Sequence, residues 1–447
     1  MPQIKKIKKI KRINHSNLLI CGKKNNLSLH KYFKMQHWDI LLSNQVNKKA
    51  FIETLLSGEA KGELAVFKNQ KGILFSDIAI EKFIEKEYQY DTVEASPESH
   101  RQLRTFSSGE RKKEFLKYCI NQKPDFIIFD NPFDHLDQAS RVVLAESLKD
   151  LTQDIAIIQI VNRVVDVLSF VPNKAQIKDN TFELHPLSQT VNHFKTLNTA
   201  AIPKAIEPHS FHESVLIKME NVSVSYDERK IVDNISWTIK QGEFWQLIGP
   251  NGSGKSTILS LITGDNPKGF GQNLHLFGRK KGTGESVWDI KKQIGIFTTS
   301  MTDLFQKSHT LEEMILSGFF DSIGLYIEPT TLQKQTVTQW LEVIEMSGLR
   351  KKRFIDLSIG QQRVALIVRA VLKHPPLLIL DEPVEGLDDE NVDLVIQLIN
   401  TIKQETNVSI LYVSHRIETG LAPTSVFELL PSSTGSIGKI KYHSELN

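Results

Sequence analysis

Gly249-Pro250-Asn251-Gly252-Ser253-Gly254-Lys255-Ser256-Thr257 is the stretch of this sequence that decides the fold. It fits the pattern G-x-x-x-x-G-K-[ST] of a phosphate-binding loop, in which glycines let backbone N–H groups approach an anion. The apolar run Phe244–Ile248 before it predicts a buried strand, and the run 258–262 after it predicts a helix that Gly264 ends. Strand, loop and helix in this order form the setting that the motif requires.

The two polar residues at the end of this loop have distinct expected roles. Lys255 is expected to contact the β- and γ-phosphates of a nucleotide, and the Ser256 hydroxyl is expected to ligate Mg²⁺. Tyr226, upstream of the loop, is expected to stack on adenine, with an aromatic of the core or of a sheet edge as the alternative. The loop therefore predicts binding of ATP with Mg²⁺.

Acidic residues and a histidine follow two further predicted strands. The apolar run 377–380 ends in Asp381 and Glu382. This order predicts Asp381 in the Mg²⁺ shell and Glu382 as the general base that activates water. His415 follows the run 408–413 and is expected to contact the γ-phosphate and to position the same water. The predicted catalytic residues are thus Lys255, Glu382 and His415.

The chain contains an internal repeat. Three motifs recur at a constant separation of 251 residues, and they are FSSGE (106–110) with LSIGQ (357–361), FIIFDNP (126–132) with LLILDEP (377–383), and DHLD (134–137) with EGLD (385–388). A separation that stays constant over three motifs predicts two copies of one folding unit.

The first copy has a counterpart of the phosphate loop that lacks its glycines. Near the loop the separation is 206 residues, which aligns 43–51 with 249–257. Lys49 then aligns with the loop lysine, which is retained, whereas Ala50 replaces the serine that would ligate Mg²⁺ and Asn131 replaces the general base. Because the separation grows from 206 to 251, the second copy carries an insert that is larger by 45 residues. The first copy is therefore predicted to be reduced and degenerate.

Composition narrows the class of protein. A chain of 447 residues can hold about two or three domains, and its formal charge of +3 does not indicate nucleic acid. Its two cysteines, Cys21 and Cys119, have no metal-ligand spacing, which favours a reducing compartment. We expect a cytoplasmic protein without a transmembrane helix or signal peptide, and a peripheral contact with the inner face of the membrane is the alternative. The basic run 1–13 is interpreted as a solvated edge or a frayed terminus, with a contact to an anionic surface as the alternative.

The predicted fold class is α/β, with two P-loop domains in tandem, each a central sheet with a helical insert. The first domain is predicted over 1–170 and the second over 215–447. The intervening stretch 171–214 contains four prolines and few charges, and is predicted to be a linker.

These motifs together resemble those of ATP-binding-cassette (ABC) ATPases. The stretches similar to the Walker A, signature, Walker B, D-loop and switch-histidine motifs are 249–257, 357–361, 380–383, 386–388 and His415. Three further stretches, 282–292, 315–324 and 361–370, resemble the ModF/PhrA group of tandem cassette ATPases. The resemblance is strong over 215–447, whereas over 1–170 it rests on the signature and Walker B regions.

The resemblance implies an ATP hydrolase in which each nucleotide lies between the Walker A loop of one cassette and the signature of the other. The 249–257 loop would then face Ser107 and the Gly109 backbone of the first copy. The opposite site would join 43–51 to 357–361 and would lack the glycines and the base. One catalytic ATP per chain is the resulting prediction.

The sequence leaves two classes of function open. One is an ATPase whose cassettes close on ATP and serve a protein partner, a transporter permease among the candidates. The other is an ATPase associated with nucleic acid or the ribosome. The low charge of 171–214 differs from the charged helical linkers of tandem translation factors and favours the first class. Two departures from the family pattern are Thr299-Ser300, where a glutamine is usual, and Ile359, where a second glycine is usual.

Overall fold

The computed structural model describes residues 35–92, 101–178, 181–184, 201–207, 211, 213–304 and 308–442. The basic run 1–13, and Cys21 with it, lie outside these residues. His37–Asn447 form one compact unit, and this unit contains two separate six-stranded sheets, one in each copy of the repeat.

The first copy is built on a mostly parallel sheet. Its elements are β1 (Trp38–Leu42), α1 (Lys48–Leu56), β2 (Gly72–Phe75), α2 (Asp77–Tyr90), α3 (Ser108–Asn121), β3 (Phe126–Asp130), α4 (Gln138–Leu151), β4 (Ala156–Val161), β5 (Asn173–Lys178) and β6 (Thr181–Leu184). The strand order is β2-β3-β4-β1-β5-β6, and only the edge strand β6 pairs antiparallel. Strands β3 and β4 are apolar along almost their whole length because helices cover both faces of the sheet.

The second copy begins with a long antiparallel pair and continues through the phosphate loop. Its elements are β7 (Val215–Tyr226), β8 (Arg229–Lys240), β9 (Phe244–Ile248), α5 (Lys255–Ile262), β10 (Leu274–Leu276), β11 (Arg279–Lys280), α6 (Val287–Lys291), β12 (Ile294–Thr298), α7 (Met301–Leu304), α8 (Leu311–Leu316), α9 (Thr331–Val343), α10 (Ile359–Val371), β13 (Leu377–Asp381), α11 (Asp389–Glu405), β14 (Ser409–Ser414), β15 (Ser425–Leu430) and β16 (Ile437–Tyr442). The central sheet has the order β12-β13-β14-β9-β15-β16. This is the topology of the first sheet, so the predicted α/β repeat is confirmed.

The two copies differ in their additions to the central sheet. The second copy carries a four-stranded antiparallel sheet, β11-β10-β7-β8. The stretch of the first copy that precedes β1 lies outside the described residues, apart from residues 35–37. Between the phosphate loop and the signature, α6 to α9 form the insert of the second copy, whereas the described part of the first insert contains one α-helix, α2. The predicted difference in insert size is therefore seen in the structure.

The start of the predicted linker needs correction. Strands β5 and β6 lie inside the stretch 171–214, and β5 pairs with β1 as part of the first sheet. Ala175 and Ile177 alternate into the core. The prolines at 172 and 186 flank this hairpin and do not interrupt it, so they did not mark the end of the sheet. Further along, the Ile202 N–H donates to Glu405 Oε2 at 2.8 Å, so this part of the stretch packs on the second copy.

Charged groups join the two copies where their sheets end. Arg163 of the first copy donates to Glu418 of the second at 3.0 Å and lies 3.6 Å from Asp389. The Val164 N–H also donates to Asp389, at 2.8 Å. The side chains of Arg163 and Glu418 are only 14% and 3% exposed, which shields this pair from screening by salt. These contacts place the carboxyl ends of the strands of one copy opposite the other copy.

In the described part of the chain, no helix combines the length and the apolar character that crossing a bilayer requires.

Asp39 gives the stability of the first sheet an expected pH dependence. Burial raises the pKa of Asp39 to about 7, although the hydrogen bond that its carboxylate accepts from the Leu168 N–H lowers the pKa. Because the pKa of Asp39 is higher in the folded than in the unfolded state, the protonated side chain stabilises the fold fully at pH values below the unfolded pKa of 3.8. This contribution is lost as pH rises towards 7. In the wild type the free energy of unfolding should therefore fall by a few kcal/mol over this pH range, and Asp39→Asn should abolish this fall. Urea unfolding at several pH values measures it, with the exposed Asp150→Asn as control; unchanged pH dependence in Asp39→Asn would contradict it.

Candidate nucleotide site between the two copies

The phosphate loop has the conformation that its glycines permit. Gly252 and Gly254 have φ of +74° and +96°, in the left-handed region that side chains disfavour. A Cβ on Gly254 would lie 2.6 Å from Val232 Cγ1, so only glycine fits there. Helix α5 begins at Lys255, and its first N–H groups have no partner within the helix. The loop and this helix start therefore form a cradle for an anion.

The three predicted catalytic residues lie in one chain of contacts. Lys255 Nζ donates to the carbonyls of Gly249 at 2.7 Å and Pro250 at 3.3 Å, and lies 3.1 Å from His415 Nδ1. His415 Nε2 lies 2.5 Å from Glu382 Oε1. The neighbouring parallel strands β13 and β14 bring Glu382 and His415 to the same edge of the sheet. The structure thus brings these residues together as the sequence predicted.

The charges in this cluster shift one another's pKa values. Burial and the adjacent Glu382 raise the pKa of Asp381 to about 6. Burial also raises the pKa of Glu382, but the hydrogen bond and the charge of His415 outweigh it, so the pKa is lowered overall. Burial lowers the pKa of Lys255 despite the nearby carboxylates of Glu382, Asp381 and Asp137. Glu382 is therefore ionised near neutral pH, as a general base must be.

Glu382 occupies a strained backbone position. Its φ is +51°, and Asn131, the equivalent residue of the first copy, has φ of +44°. Asparagine adopts this region more readily than glutamate does. The second copy therefore keeps a costly residue where the first copy has a tolerant one, as expected of a functional position.

Residues of the first copy contact the phosphate loop directly. Asp137 Oδ2 accepts a hydrogen bond from the Asn251 N–H at 3.1 Å. The Asn251 side chain donates to Ser108 Oγ at 3.0 Å and to the His135 carbonyl at 2.6 Å. A residue in the middle of the loop is thus held by the signature and by the D-loop of the other copy.

A cavity of about 510 Å³ lies between the copies and contains most of the predicted site. The second copy lines it with Tyr226, Arg229, Ile231, Asn251, Gly252, Gly254, Lys255, Ser256, Thr257, Glu382 and His415. The first copy contributes Ser108 and His135. Ser107 and Gly109, the predicted contacts from the signature, are not among the lining residues, and Ser107 instead donates to Glu110 at the start of α3. Sequence reasoning missed Ser108 and His135 because pattern alone does not show which side chains face the other copy.

The aromatic predicted to stack on adenine lines the same cavity. Tyr226 is 43% exposed, and its hydroxyl accepts a hydrogen bond from Asn266 Nδ2 at 3.0 Å. Asn266 is buried and follows α5. The ring is therefore anchored at one end and open at its face, so it is not a core aromatic.

The donor groups near the cavity suit Mg²⁺. Ser256 and Glu382 both line the cavity, and Asp381 ends strand β13 immediately before Glu382. Hydroxyl and carboxylate oxygens are the hard ligands that Mg²⁺ prefers. Burial, and after it the charge of Glu382, raise the pKa of Asp381, and a divalent cation at this point would favour the ionised carboxylate. The residues present therefore fit the predicted ion.

The corresponding loop of the first copy is closed by an ion pair. Five residues separate β1 from α1, whereas six separate β9 from α5. Lys48, not Lys49, therefore begins the helix, and its Nζ lies 2.7 Å from Asp130 Oδ1. Lys49 is 86% exposed, so its predicted equivalence to Lys255 is wrong. The shorter loop rotates the helix start by one residue, about 100°, and directs Lys49 to solvent.

The first loop nevertheless docks on the second copy in the same way. The Asn44 N–H donates to Asp388 Oδ2 at 2.8 Å, and Ser43 Oγ donates to the same oxygen at 3.3 Å. Asp388 and Asp137 occupy equivalent positions of the repeat. The two copies therefore face each other head to tail, with each loop against the D-loop of the other copy.

Comparison with known proteins identifies the family. The profile of the family described as "ABC transporter" matches residues 232–385. The ABC transporter ATP-binding protein ModF of Escherichia coli (strain K12) is 41% identical over 336 residues, which cover 71% of this chain and 68% of ModF. An uncharacterized ABC transporter ATP-binding protein of Schizosaccharomyces pombe is 30% identical over 321 residues, covering 70% of this chain and 65% of that protein.

A solved structure supports the tandem architecture. The structure titled RNase-L Inhibitor aligns with 92% of this chain and 87% of its own, with a TM-score of 0.59 and 14% identity. At that identity the likeness concerns the fold alone. The fold, the site geometry and the identity to ModF agree, and the chain belongs to the family of ABC transporter ATP-binding proteins.

Proposed function

We propose that this chain binds and hydrolyses ATP at one composite site, which the second copy builds on Lys255 and the first copy completes. Binding of ATP there draws the two cassettes together, and hydrolysis lets them separate. The observation that carries the proposal is the asymmetry of the two loops. Lys255 faces an open cavity beside Glu382 and His415, whereas Lys48 is bound to Asp130, its own copy's counterpart of Asp381.

The residues of the open site have separable roles. The N–H groups of the loop and of α5 bind phosphate oxygens, and Lys255 turns from the Gly249 and Pro250 carbonyls to the same phosphates. Mg²⁺, held by Ser256 and Asp381, would offset the charge of the phosphates. Glu382 takes the proton of the attacking water, and His415, which contacts Glu382, holds that carboxylate in place.

The first loop lacks each of these features. Asp130 is paired with Lys48, Lys49 follows that lysine where the second copy has Ser256 and carries no hydroxyl, and Asn131 cannot act as a base. Only glycine takes left-handed conformations at low cost, and 43–47 contains none. We propose that the first copy is retained for the residues that it presents to the 249–257 loop.

Replacing each lysine by alanine tests this asymmetry. Lys255→Ala should raise the Kd for ATP by about 10- to 100-fold, because a charged hydrogen bond to phosphate is lost. Lys48→Ala should leave the Kd unchanged and lower the free energy of unfolding by about 1 kcal/mol, because a partly exposed ion pair with Asp130 is lost. Equilibrium titration with a fluorescent ATP analogue measures affinity and stoichiometry. Two tight sites per chain, or equal effects of the two variants, would refute the single-site proposal.

The partner of the cassette pair is a separate proposal. The name of ModF points to a transport system, so we propose a transporter permease as the partner and the cytoplasm as the location. Glu382→Gln is expected to keep ATP bound with the two cassettes closed. A pull-down with that variant therefore shows whether the bound partner is a permease or ribosomal material.

A further inference from the structure

His135 takes a backbone conformation that its equivalent in the second copy leaves to glycine. His135 has φ of +59°, and Gly386 has φ of +73°. Both lie in the same turn, since the Leu136 and Leu387 N–H groups each donate to a carbonyl three residues back, both at 3.3 Å. The turn thus requires a left-handed residue, which costs little as glycine and more as histidine. A residue other than glycine in this strained backbone conformation indicates a function.

The backbone of His135 is held from both sides by the second copy. Its N–H donates to Glu385 Oε1 at 2.8 Å, and its carbonyl accepts from Asn251 Nδ2 at 2.6 Å. His135 lines the cavity that Lys255, Glu382 and His415 also line, and its side chain is 56% exposed. Its Nδ1 lies 3.7 Å from Glu385 Oε1, which is beyond hydrogen-bond distance. The backbone of His135 is therefore fixed in position, and its ring is not held by a hydrogen bond to Glu385.

The side chain appears only in the copy that faces the intact loop. His135 of the first copy faces the cavity of Lys255. In the second copy the position is Gly386, whose carbonyl accepts from Asn162 at 3.4 Å, on the side of the degenerate loop. A purely structural need of the turn would apply to both copies, because both turns have the same backbone conformation. The difference follows the presence of a nucleotide site.

We propose that His135 is a further nucleotide-contacting residue, supplied by the first copy, whose ring N–H donates to terminal phosphate oxygens of the ATP bound at Lys255. This inference rests on the proposed ATPase site and adds a second imidazole to it, opposite His415. It gives the degenerate cassette a direct role at the phosphates, besides the contacts of its Ser108 and Asp137 with the loop.

Three variants test the role of this ring without relying on a destabilised protein. His135→Gly should lower ATP turnover about tenfold and, in the Glu382→Gln background, raise the Kd for ATP by a similar factor. Its Tm should be unchanged or higher, because glycine relieves the strained φ. His135→Asn should recover part of the affinity, since asparagine tolerates the left-handed region and carries an N–H donor. Gly386→His should lower Tm and leave turnover and affinity unchanged.

The results separate this inference from the proposed function. If Glu382→Gln abolishes turnover while His135→Gly retains wild-type turnover and affinity, the role of His135 is refuted and the ATPase site stands. If His135→Gly lowers Tm and leaves affinity unchanged, the ring is a structural partner of Glu385. If Lys255→Ala and Glu382→Gln both leave ATP binding and turnover intact, the proposed site fails, and the role of His135 fails with it.

Discussion

Glu382→Gln is expected to lower the rate of ATP hydrolysis by about 100-fold or more while ATP remains bound. Glutamine preserves the size of the side chain and the left-handed backbone imposes a similar cost on it, but its amide cannot accept the proton of the attacking water. Asp381, Ser256 and Lys255 are untouched, so the contacts proposed for phosphate and Mg²⁺ should persist. Single-turnover hydrolysis, followed by quantification of bound ATP and ADP, measures both effects.

The repeat supplies a matched control for this substitution. Asn131 is the equivalent residue of the first copy and has a similar φ of +44°. Asn131→Gln places the same side chain in the same backbone setting at the degenerate loop, and hydrolysis should continue at the wild-type rate. Turnover of Glu382→Gln within a few-fold of wild type would assign the base to another residue.

Ser107→Arg is expected to suppress hydrolysis about tenfold or more, although Ser107 is remote in sequence from the 249–257 loop. Ser107 is the N-cap residue of the signature helix α3, and the next residue, Ser108, contacts Asn251 of the loop. An arginine at this helix start would occupy the space between the signature and the loop, and would prevent the close approach that ATP requires. Steady-state turnover and ATP affinity, measured together, follow the effect.

Ser358→Arg is the matched control at the other signature. Ser358 and Ser107 are the N-cap residues of α10 and α3, and each serine N–H donates to the side chain three positions on, that of Gln361 or Glu110. Both variants should therefore lose about 1 kcal/mol of stability from the damaged cap. Only Ser107→Arg should lose turnover, because only its signature faces the intact loop. Equal losses of turnover in the two variants would show that both sites are catalytic.

Much of the fold could be predicted from local pattern. The run Phe244–Ile248 is strand β9, and the helix after the loop ends before Gly264, as predicted. The constant separation between motifs also predicted two sheets with the same topology. Each motif lies at the end or the start of a helix or strand, and the dimensions of the sheet set the lengths of these elements. For the hairpin of β5 and β6 the sequence instead predicts a linker, since prolines near strand ends resemble prolines in a loop.

The residues of the candidate site could be predicted where a single sequence motif contains them. Glu382 follows an apolar strand and Lys255 begins a helix after glycines, so their roles could be expected from residue type and position. The predicted contacts from the first copy, Ser107 and Gly109, were close in sequence to the residue that lines the cavity, Ser108. A helix start directs adjacent residues about 100° apart, which sequence alone does not resolve.

The sequence by itself determined the α/β class, the repeat and the residues of the intact loop, because these depend on spacing and on the conformations that glycine permits. Only the tertiary structure decided that Lys48 pairs with Asp130, and that His135 and Asp137 reach the loop of the other copy. These contacts join residues that are far apart in the chain. They depend on the length of a loop and on the docking of two sheets, which local sequence preferences do not specify.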